Sequence, residues 1–592
     1  MYILGISCFY HDAAAALIKD GQLVCAAQEE RFTRKKNDSG YPKNAISFCL
    51  EFANISANDL DYVVFYEKPF QKFERILKTI INTYPRSCGL FTIAMKNWFN
   101  QKLWIKNIIK ERLNISEDTI FFTDHHAAHA ASSFLLSPFK EAAILTIDGV
   151  GEWATATMGT GKETQIQLIK QLNFPNSLGL LYSTFTAFLG FKVNEGEYKV
   201  MGMAPYGQPK YTDKIFDKIV TLNTDGSIKL NMKFFAFPYS VKKSFSREFV
   251  KLFGNPRPVD QHFFTADTGF PAYFGTKPGN FEKLKGINQH YADIAASIQK
   301  VTEEIILKQA HYLHKITGLD NLCVAGGVAL NSVANARLIN EGPFKEIFIP
   351  PSPGDSGGAI GAALYLYNCL LNHPRKFTLE HAYWGKDYSN EEVGEFLKNK
   401  SIPFTYFSNN SELINKTVEA IMQQKVIGWV QGRFEWGPRA LGNRSIIADP
   451  RNAEMKDIVN LKIKFREPFR PFAPVILEEE LHTYFKVSNE NQYLFRFMLS
   501  VLPILEEKRR FIPAVDHKGT GRVQTILQEQ NPLYYQLIKA FGEKTGIPIL
   551  LNTSFNVKGE PIANSPQDAY NTFKNSGLDM LVIGNYVIQK EI

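Results

Sequence analysis

The chain has 592 residues, 45% hydrophobic and 21% charged, with a formal net charge of +8. That length exceeds what one hydrophobic core holds and predicts at least two domains of a soluble globular protein. Six scattered cysteines without a CxxC pair exclude a zinc ribbon or a disulfide frame and suit a reducing compartment.

No apolar run is long enough to span a bilayer, and the opening MYILGISCFYHD lacks the basic and cleavage regions of a secretion signal. A cytoplasmic location and no membrane partner are therefore expected. The positive excess suits anionic small substrates such as phosphates. With no RNA-recognition signature and no block of consecutive basic residues, nucleic acid is disfavoured as a partner.

In chain order, residues 2–8 (YILGISC) read as a buried first strand, followed by 13–19 (AAAALIK) and 22–27 (QLVCAA). Asp20-Gly21 between the last two is a hairpin signal, because both residues tolerate left-handed backbone. The stretch FFTDHHAAHAASSF (121–134) sets three histidines among alanines, the best helix formers. On a helix His125 and His129 share one face, one turn apart, which is the spacing of a two-imidazole metal clamp. The alternative is an ordinary surface pair. His126 points elsewhere and reads as structural.

Residues 142–147 (AAILTI), Asp148-Gly149, 153–158 (WATATM), a turn at Gly159-Thr160-Gly161-Lys162 and a run at 165–172 repeat the opening order of strands and turns. Duplicated units of this kind build the actin-like ATPase and sugar-kinase architecture, two α/β lobes facing across a nucleotide cleft. The turns CFYHD (8–12) and DGVGEW (148–153) would present backbone N–H groups to phosphate. A third glycine turn, VAGGVALNSVAN (324–335), joins a strand to a helix, where an anion is favoured. Gly149, Gly326, Gly327 and Asn331 are the candidate nucleotide contacts in these turns. PSPGDSGGAIGAAL (351–364) puts Asp355 at the head of a small-residue helix, where an N-cap is the plain alternative.

Residues 225–290 mix aromatics, glycine, proline and basic residues with little periodicity. They read as an insertion, either a lid or acceptor wall or a skin over the core. The pattern changes near 371–385, which predicts domains 1–372 and 373–592. The second alternates strands at 425–430, 546–551 and 580–588 with helical segments and shows no repeat of the first architecture.

Read together, LGISCFYHDAAAALIKDG, AAQEERFTRKK, the histidine pair, LTIDGVGEW, NEGEYKVMGMAPYG, AGGVALN, PGDSGGAIGAAL, GRFEWGPRALGNRSIIADPR, KFREPFRPFAPV, GTGRVQT and NTSFNVKGEPI resemble the O-carbamoyltransferase family over essentially the whole chain. That family includes nodulation-factor, aminoglycoside, cephamycin and saxitoxin-type enzymes. The resemblance implies a first domain like the universal tRNA threonylcarbamoyl-transfer protein and a second, YrdC-like domain. It also implies the reaction: carbamoyl-adenylate is made from ATP and carbamoyl phosphate in the second domain. The carbamoyl group then passes to a small-molecule hydroxyl in the first.

In the family pattern a mononuclear metal, most often iron(II), is held at the positions of His125, His129, Asp148 and Asp355. An N2O2 set suits iron(II), zinc or manganese better than magnesium, although Mg2+ could accompany ATP. Lys199 in GEYKVMGMAPYG is a candidate phosphate contact, with a surface lysine as the plain alternative. His11 is the candidate base or acceptor contact and Asp12 its alternative. By motif position, Arg439, Lys464, Arg470, Arg522, Ser554 and Asn556 would contact carbamoyl phosphate and ATP. Arg433, Arg444 and Arg466 are further candidates, and some of these arginines should pair with Glu435, Glu467 or Asp449. A tRNA threonylcarbamoyl transferase and an actin-like sugar kinase are the competing readings. A homodimer is allowed.

Overall fold

The structure is a computed structural model that describes residues 1–259, 261–464, 466–487 and 493–590. β1 (Tyr2–Ser7), β2 (Ala14–Lys19) and β3 (Gln22–Gln28) form an antiparallel meander. β4 (Tyr62–Phe65) and β5 (Ile120–Phe122) extend it in parallel from β1, giving the order β3-β2-β1-β4-β5. After α1 (His125–Phe134), the strands β6 (Glu141–Ile147), β7 (Ala154–Lys162), β8 (Gln165–Asn173), β9 (Asn321–Ala325) and β10 (Glu346–Phe348) repeat it as β8-β7-β6-β9-β10, with the same strand directions. Two sheets of one order and polarity are the duplicated actin-like architecture.

The first hairpin turns at Asp20 (φ 50°) and Gly21 (φ 82°), as the dipeptide predicts. The second does not turn where expected. β7 runs straight through Gly159 and Gly161, and Glu163 (φ 50°) makes the turn. Those glycines serve packing instead: a Cβ on Gly161 would lie 2.4 Å from the Phe134 ring, and one on Gly159 would lie 2.3 Å from the Gln167 carbonyl.

Between the sheets lie α1, packed on β6 and β9, and a helix at Gly357–Leu364, packed on β1 and β2 and on α1. Small residues allow this approach. A Cβ on Gly361 would meet the Ala128 carbonyl at 1.9 Å, and one on Gly5 would meet the Ala359 carbonyl at 1.8 Å. This close packing carries Asp355, just before the helix, to the histidine face of α1.

The remaining chain builds one mixed eight-stranded sheet. Its strands are β11 (Thr405–Tyr406), β12 (Ile427–Val430), β13 (Arg444–Ala448), β14 (Ala473–Leu477), β15 (Gln524–Ile526), β16 (Ile549–Ser554), β17 (Met580–Ile583) and β18 (Tyr586–Gln589). Their order is β11-β18-β17-β12-β13-β16-β14-β15. Successive residues such as Leu581 and Val582 enter separate cores on opposite faces, so these strands read as continuous apolar runs. The run 580–588 is two strands rather than the one expected, because Gly584 (φ 52°) opens a turn.

The two halves share buried surface. Phe434, Trp436, Phe469 and Phe497 belong to the core of the first half, and Arg31, fully buried, donates to the Glu435 and Gly437 carbonyls. Within 225–290, Phe249 and Phe253 pack on Phe185, and Phe263 meets Phe469 at 5.0 Å. This stretch is thus a skin over the core that also touches the second half. Among the described residues no helix is long and apolar enough to cross a membrane.

Candidate metal centre and anion site

Every residue of α1 is buried, so the surface reading of its histidines does not hold. The Glu152 carboxylate receives the His125 backbone N–H at the start of the helix (3.0 and 3.2 Å). Ligand atoms of His125, His129, Asp148 and Asp355 all lie within 4.8 Å of one another. His125 Nε2 lies 3.1 Å from His129 Nε2, 3.2 Å from Asp148 Oδ2 and 3.7 Å from Asp355 Oδ1.

Asp355 Oδ1 is buried without a hydrogen-bond partner, and two imidazole nitrogens point at each other. Burial opposes ionisation of Asp148, yet the His125 bond and the His129 charge hold its carboxyl well below the usual range. Burial likewise opposes a charge on His125, but Asp355 and Asp148 raise it to about 9. Two buried carboxylates and two buried imidazoles whose ligand atoms converge, with Asp355 Oδ1 unpartnered, fit a divalent transition metal.

His126 is structural, as expected. Its ring bonds Thr146 Oγ1 (2.6 Å) and the Ala154 carbonyl (3.0 Å), and burial lowers its pKa to about 3. His11 Nδ1 pairs with Asp12 Oδ2 at 2.9 Å, while its Nε2 lies 3.7 Å from Asp355 Oδ2. Their turn is held open by two non-glycine residues in left-handed backbone, Phe9 (φ 70°) and Asp12 (φ 51°).

Some glycine-turn residues have partners other than those expected. The Gly327 N–H donates to Asp148 Oδ1 at 2.9 Å, so this glycine orients a metal-site carboxylate. Asn331 caps the helix Ser332–Glu341, accepting from the Ala334 N–H at 3.1 Å, and also pairs with Gln299, so its amide is committed within the fold. Gly326 (φ 93°) passes so close to Ile147 that a Cβ would lie 2.2 Å from its carbonyl oxygen. Gly149 faces open space.

Three buried neighbours carry no sequence signal. Tyr66 donates to Asp355 Oδ2 at 3.4 Å, Glu67 Oε2 stands 3.9 Å from His125 Nδ1, and Lys72 donates to Glu67 at 2.5 Å.

In the second half, Arg439, Lys464, Arg466, Arg470 and Arg522 form one cationic cluster. Burial, and then one another's positive charge, pushes Lys464, Arg466 and Arg522 far below their ordinary values. Burial brings Arg439 down to about 10. Arg439 Nε and Arg522 Nε are buried without partners. Lys464 Nζ donates to the Ser554 and Asn556 carbonyls (2.5 and 2.9 Å), and Ser554 Oγ donates to Asn556 Oδ1 at 2.6 Å.

The acid in this cluster is Glu467, 3.7 Å from Arg470 and bonded at 2.8 Å by Lys199 from the first half. Lys199, the candidate phosphate contact, is therefore not a free surface lysine: it pairs with Glu467. Arg470 also lies over the Tyr198 ring at 4.8 Å. By contrast, Arg433 and Arg444 donate to backbone carbonyls, at 2.6 Å to Trp384 and 2.8 Å to Gln431 among others, and are structural. Glu435 accepts three backbone N–H groups, and Asp449 pairs with Arg451. A cluster so poor in counter-charge can hold an oligophosphate or a carbamoyl anion.

The two sites are joined by short steps. Ser177 Oγ donates to the Gly149 carbonyl at 2.7 Å and opens the helix Leu178–Phe188. From that helix Ser183 donates to Glu197 at 2.8 Å, and Glu197 begins the helix (Glu197–Met203) that carries Tyr198 and Lys199.

Residues 2–364 match the family model for the carbamoyltransferase N-terminus, and residues 418–590 match that for the carbamoyltransferase C-terminus. The chain is 44% identical to an uncharacterized protein of Synechocystis, over 100% of this chain and 97% of that one. It is 35% identical to nodulation protein NolNO of Sinorhizobium fredii, over 98% of this chain and 79% of that one. Among solved structures, component A of Acidaminococcus fermentans (R)-2-hydroxyglutaryl-CoA dehydratase covers 63% of this chain and 100% of its own, at a TM-score of 0.32 and 16% identity. The chain belongs to the carbamoyltransferase family.

Proposed function

We propose that this carbamoyltransferase is ATP-dependent, acts in the cytoplasm and divides its reaction between units 1–372 and 373–592, the second YrdC-like. In the second unit water would cleave carbamoyl phosphate to carbamate and phosphate, and the carbamate oxygen would attack the α-phosphorus of ATP to give carbamoyl-adenylate and release pyrophosphate. In the first, the carbamoyl group would pass to the hydroxyl of a small natural product or sugar, releasing AMP. The observation that carries this reading is the cluster of Arg439, Lys464, Arg466, Arg470 and Arg522, short of acidic partners and facing Tyr198 and Lys199 of the transfer unit. Two anionic co-substrates supply the counter-charge that it lacks.

His125, His129, Asp148 and Asp355 would hold iron(II) or another divalent transition metal, which when bound supplies a Lewis acid for the carbonyl. His11, braced at Nδ1 by Asp12, would position the acceptor hydroxyl and take its proton at Nε2. Arg439, Arg470 and Arg522 would bind the phosphates, with Lys464 fixing the Ser554–Asn556 turn beside them. Gly149, in open space, leaves room for a nucleotide at the first unit.

The test incubates the chain with ATP, carbamoyl phosphate and a panel of hydroxyl compounds, followed by mass spectrometry. The gain of one carbamoyl group by an acceptor, dependent on both co-substrates, is expected. Gain of a phosphoryl group would point to a kinase, and modification of tRNA alone would point to a threonylcarbamoyl transferase.

A further inference from the structure

Ten lysines and arginines but only two acidic residues fall in 68–112, so this segment alone carries net +8, equal to the charge of the whole chain. The rest of the chain is electrically balanced. The segment forms a hairpin of two helices, Pro69–Asn82 and Cys88–Asn100, continued by Ile105–Leu113. Ile80, Ala94 and Trp98 give the hairpin a small core separate from the main one.

The solvent side of the second helix sets apolar Ile93 and Phe99 among Thr92, Lys96, Asn97 and Asn100, with Phe91 exposed near its start. Phe91, Ile93 and Phe99 are 47%, 44% and 54% exposed, with Tyr84 (74%) and Trp104 (53%) beside them in sequence. Lys78, Arg86, Lys96 and Lys106 are exposed in the same segment. Aromatic side chains next to lysine and arginine are the composition that settles at a lipid–water interface.

We propose that this hairpin docks the protein on the surface of an anionic phospholipid bilayer, with Phe91, Phe99 and Trp104 entering the headgroup region and the lysines meeting lipid phosphates. A second copy of the chain fits less well, because a twofold contact would oppose two surfaces of net +8. Nucleic acid would match the charge but leaves Ile93 and Phe99 without an apolar partner. Among the described residues no helix is long and apolar enough to cross a membrane, and surface docking needs none. The hairpin adjoins the metal centre: its first helix carries Lys72, which bonds Glu67 beside His125.

The experiment is co-sedimentation of the full chain with vesicles of phosphatidylcholine alone, or with phosphatidylglycerol added, at low and high salt. Binding to the anionic vesicles, weakened by salt, is expected. The pairs Phe91→Ser/Phe99→Ser and Lys96→Glu/Lys106→Glu should each weaken it at least about tenfold, with folding checked by circular dichroism and carbamoyl transfer to a soluble acceptor retained. No binding to anionic vesicles would overturn the proposal. So would binding indifferent to both pairs, a dimer dispersed by the phenylalanine pair, or binding of a nucleic acid duplex in preference to vesicles.

Discussion

Lys199 Nζ donates to Glu467 Oε1 at 2.8 Å, from a helix of the first half (Glu197–Met203) to the arginine-bearing stretch of the second. Burial would raise the Glu467 carboxyl, but Lys199 and Arg470 hold it down at about 2. Removing Lys199 leaves Glu467 facing Arg470 alone and frees the Tyr198–Arg470 contact to shift. Lys199→Ala should lower carbamoyl transfer several-fold while sparing ATP–pyrophosphate exchange in the second half. A double-mutant cycle with Glu467→Gln should return a coupling of about 1–2 kcal/mol, since the pair is only partly buried. Additive single effects would show that the pair does not couple the halves.

The cationic cluster is held together against its own repulsion. Arg522→Met should therefore raise the melting temperature of the ligand-free chain, because one buried like charge is removed. The same substitution should shrink the temperature gain on adding ATP and carbamoyl phosphate. Calorimetry reads both, and a variant destabilised without ligand would mean that Arg522 has a counter-charge in the fold.

His517 is a pH-sensitive contact between the halves. Its Nε2–H donates to the Gly202 carbonyl at 3.2 Å and its ring meets Tyr206 at 5.5 Å. Burial, then the Lys456 charge, lowers its pKa from 6.5 to about 4. A histidine with a depressed folded value binds its proton more readily when unfolded. The stability it contributes is therefore complete above pH 6.5 and is lost as pH falls towards 4, with an upper bound of about 3 kcal/mol. Melting temperature should fall over that window, and His517→Gln should flatten the fall. An unchanged slope in the variant would assign the pH dependence to other groups.

Gly327 and Gly326 should separate in their effects. A Cβ at 327 would press on Asp148 Oδ1 at 3.0 Å, so Gly327→Ala should weaken metal binding with little loss of stability. At 326 the positive φ and the 2.2 Å approach to the Ile147 carbonyl make alanine strongly destabilising. Metal titration and thermal melting read the two outcomes. Equal metal affinity in Gly327→Ala and the native chain would free Asp148 from that N–H.

What could be read in the sequence depended on how local the signal was. The Asp20-Gly21 hairpin, the repeated strand order and the facing pair His125/His129 follow from adjacent residues. Asp148 and Asp355 are far from that pair in sequence, and only the family pattern joined them to it. Gly159 and Gly161 misled, since a glycine that admits a neighbouring ring or carbonyl looks in sequence like one that makes a turn. Tyr66, Glu67 and Lys72 sit in no motif, because their partners come from other elements or are buried by them. Arg433 and Arg444 share a motif with Arg439, and only the backbone carbonyls around them mark them as structural.

The central claim is that one ion is gripped by His125, His129, Asp148 and Asp355. Its most direct test is metal titration of the native chain beside four alanine variants, one for each residue, using manganese(II) paramagnetic resonance and iron(II) competition. One high-affinity ion per chain is predicted, with affinity falling at least about tenfold in every variant. A native chain that binds no ion tightly, or an Asp355→Ala chain that binds as the native one does, would contradict it.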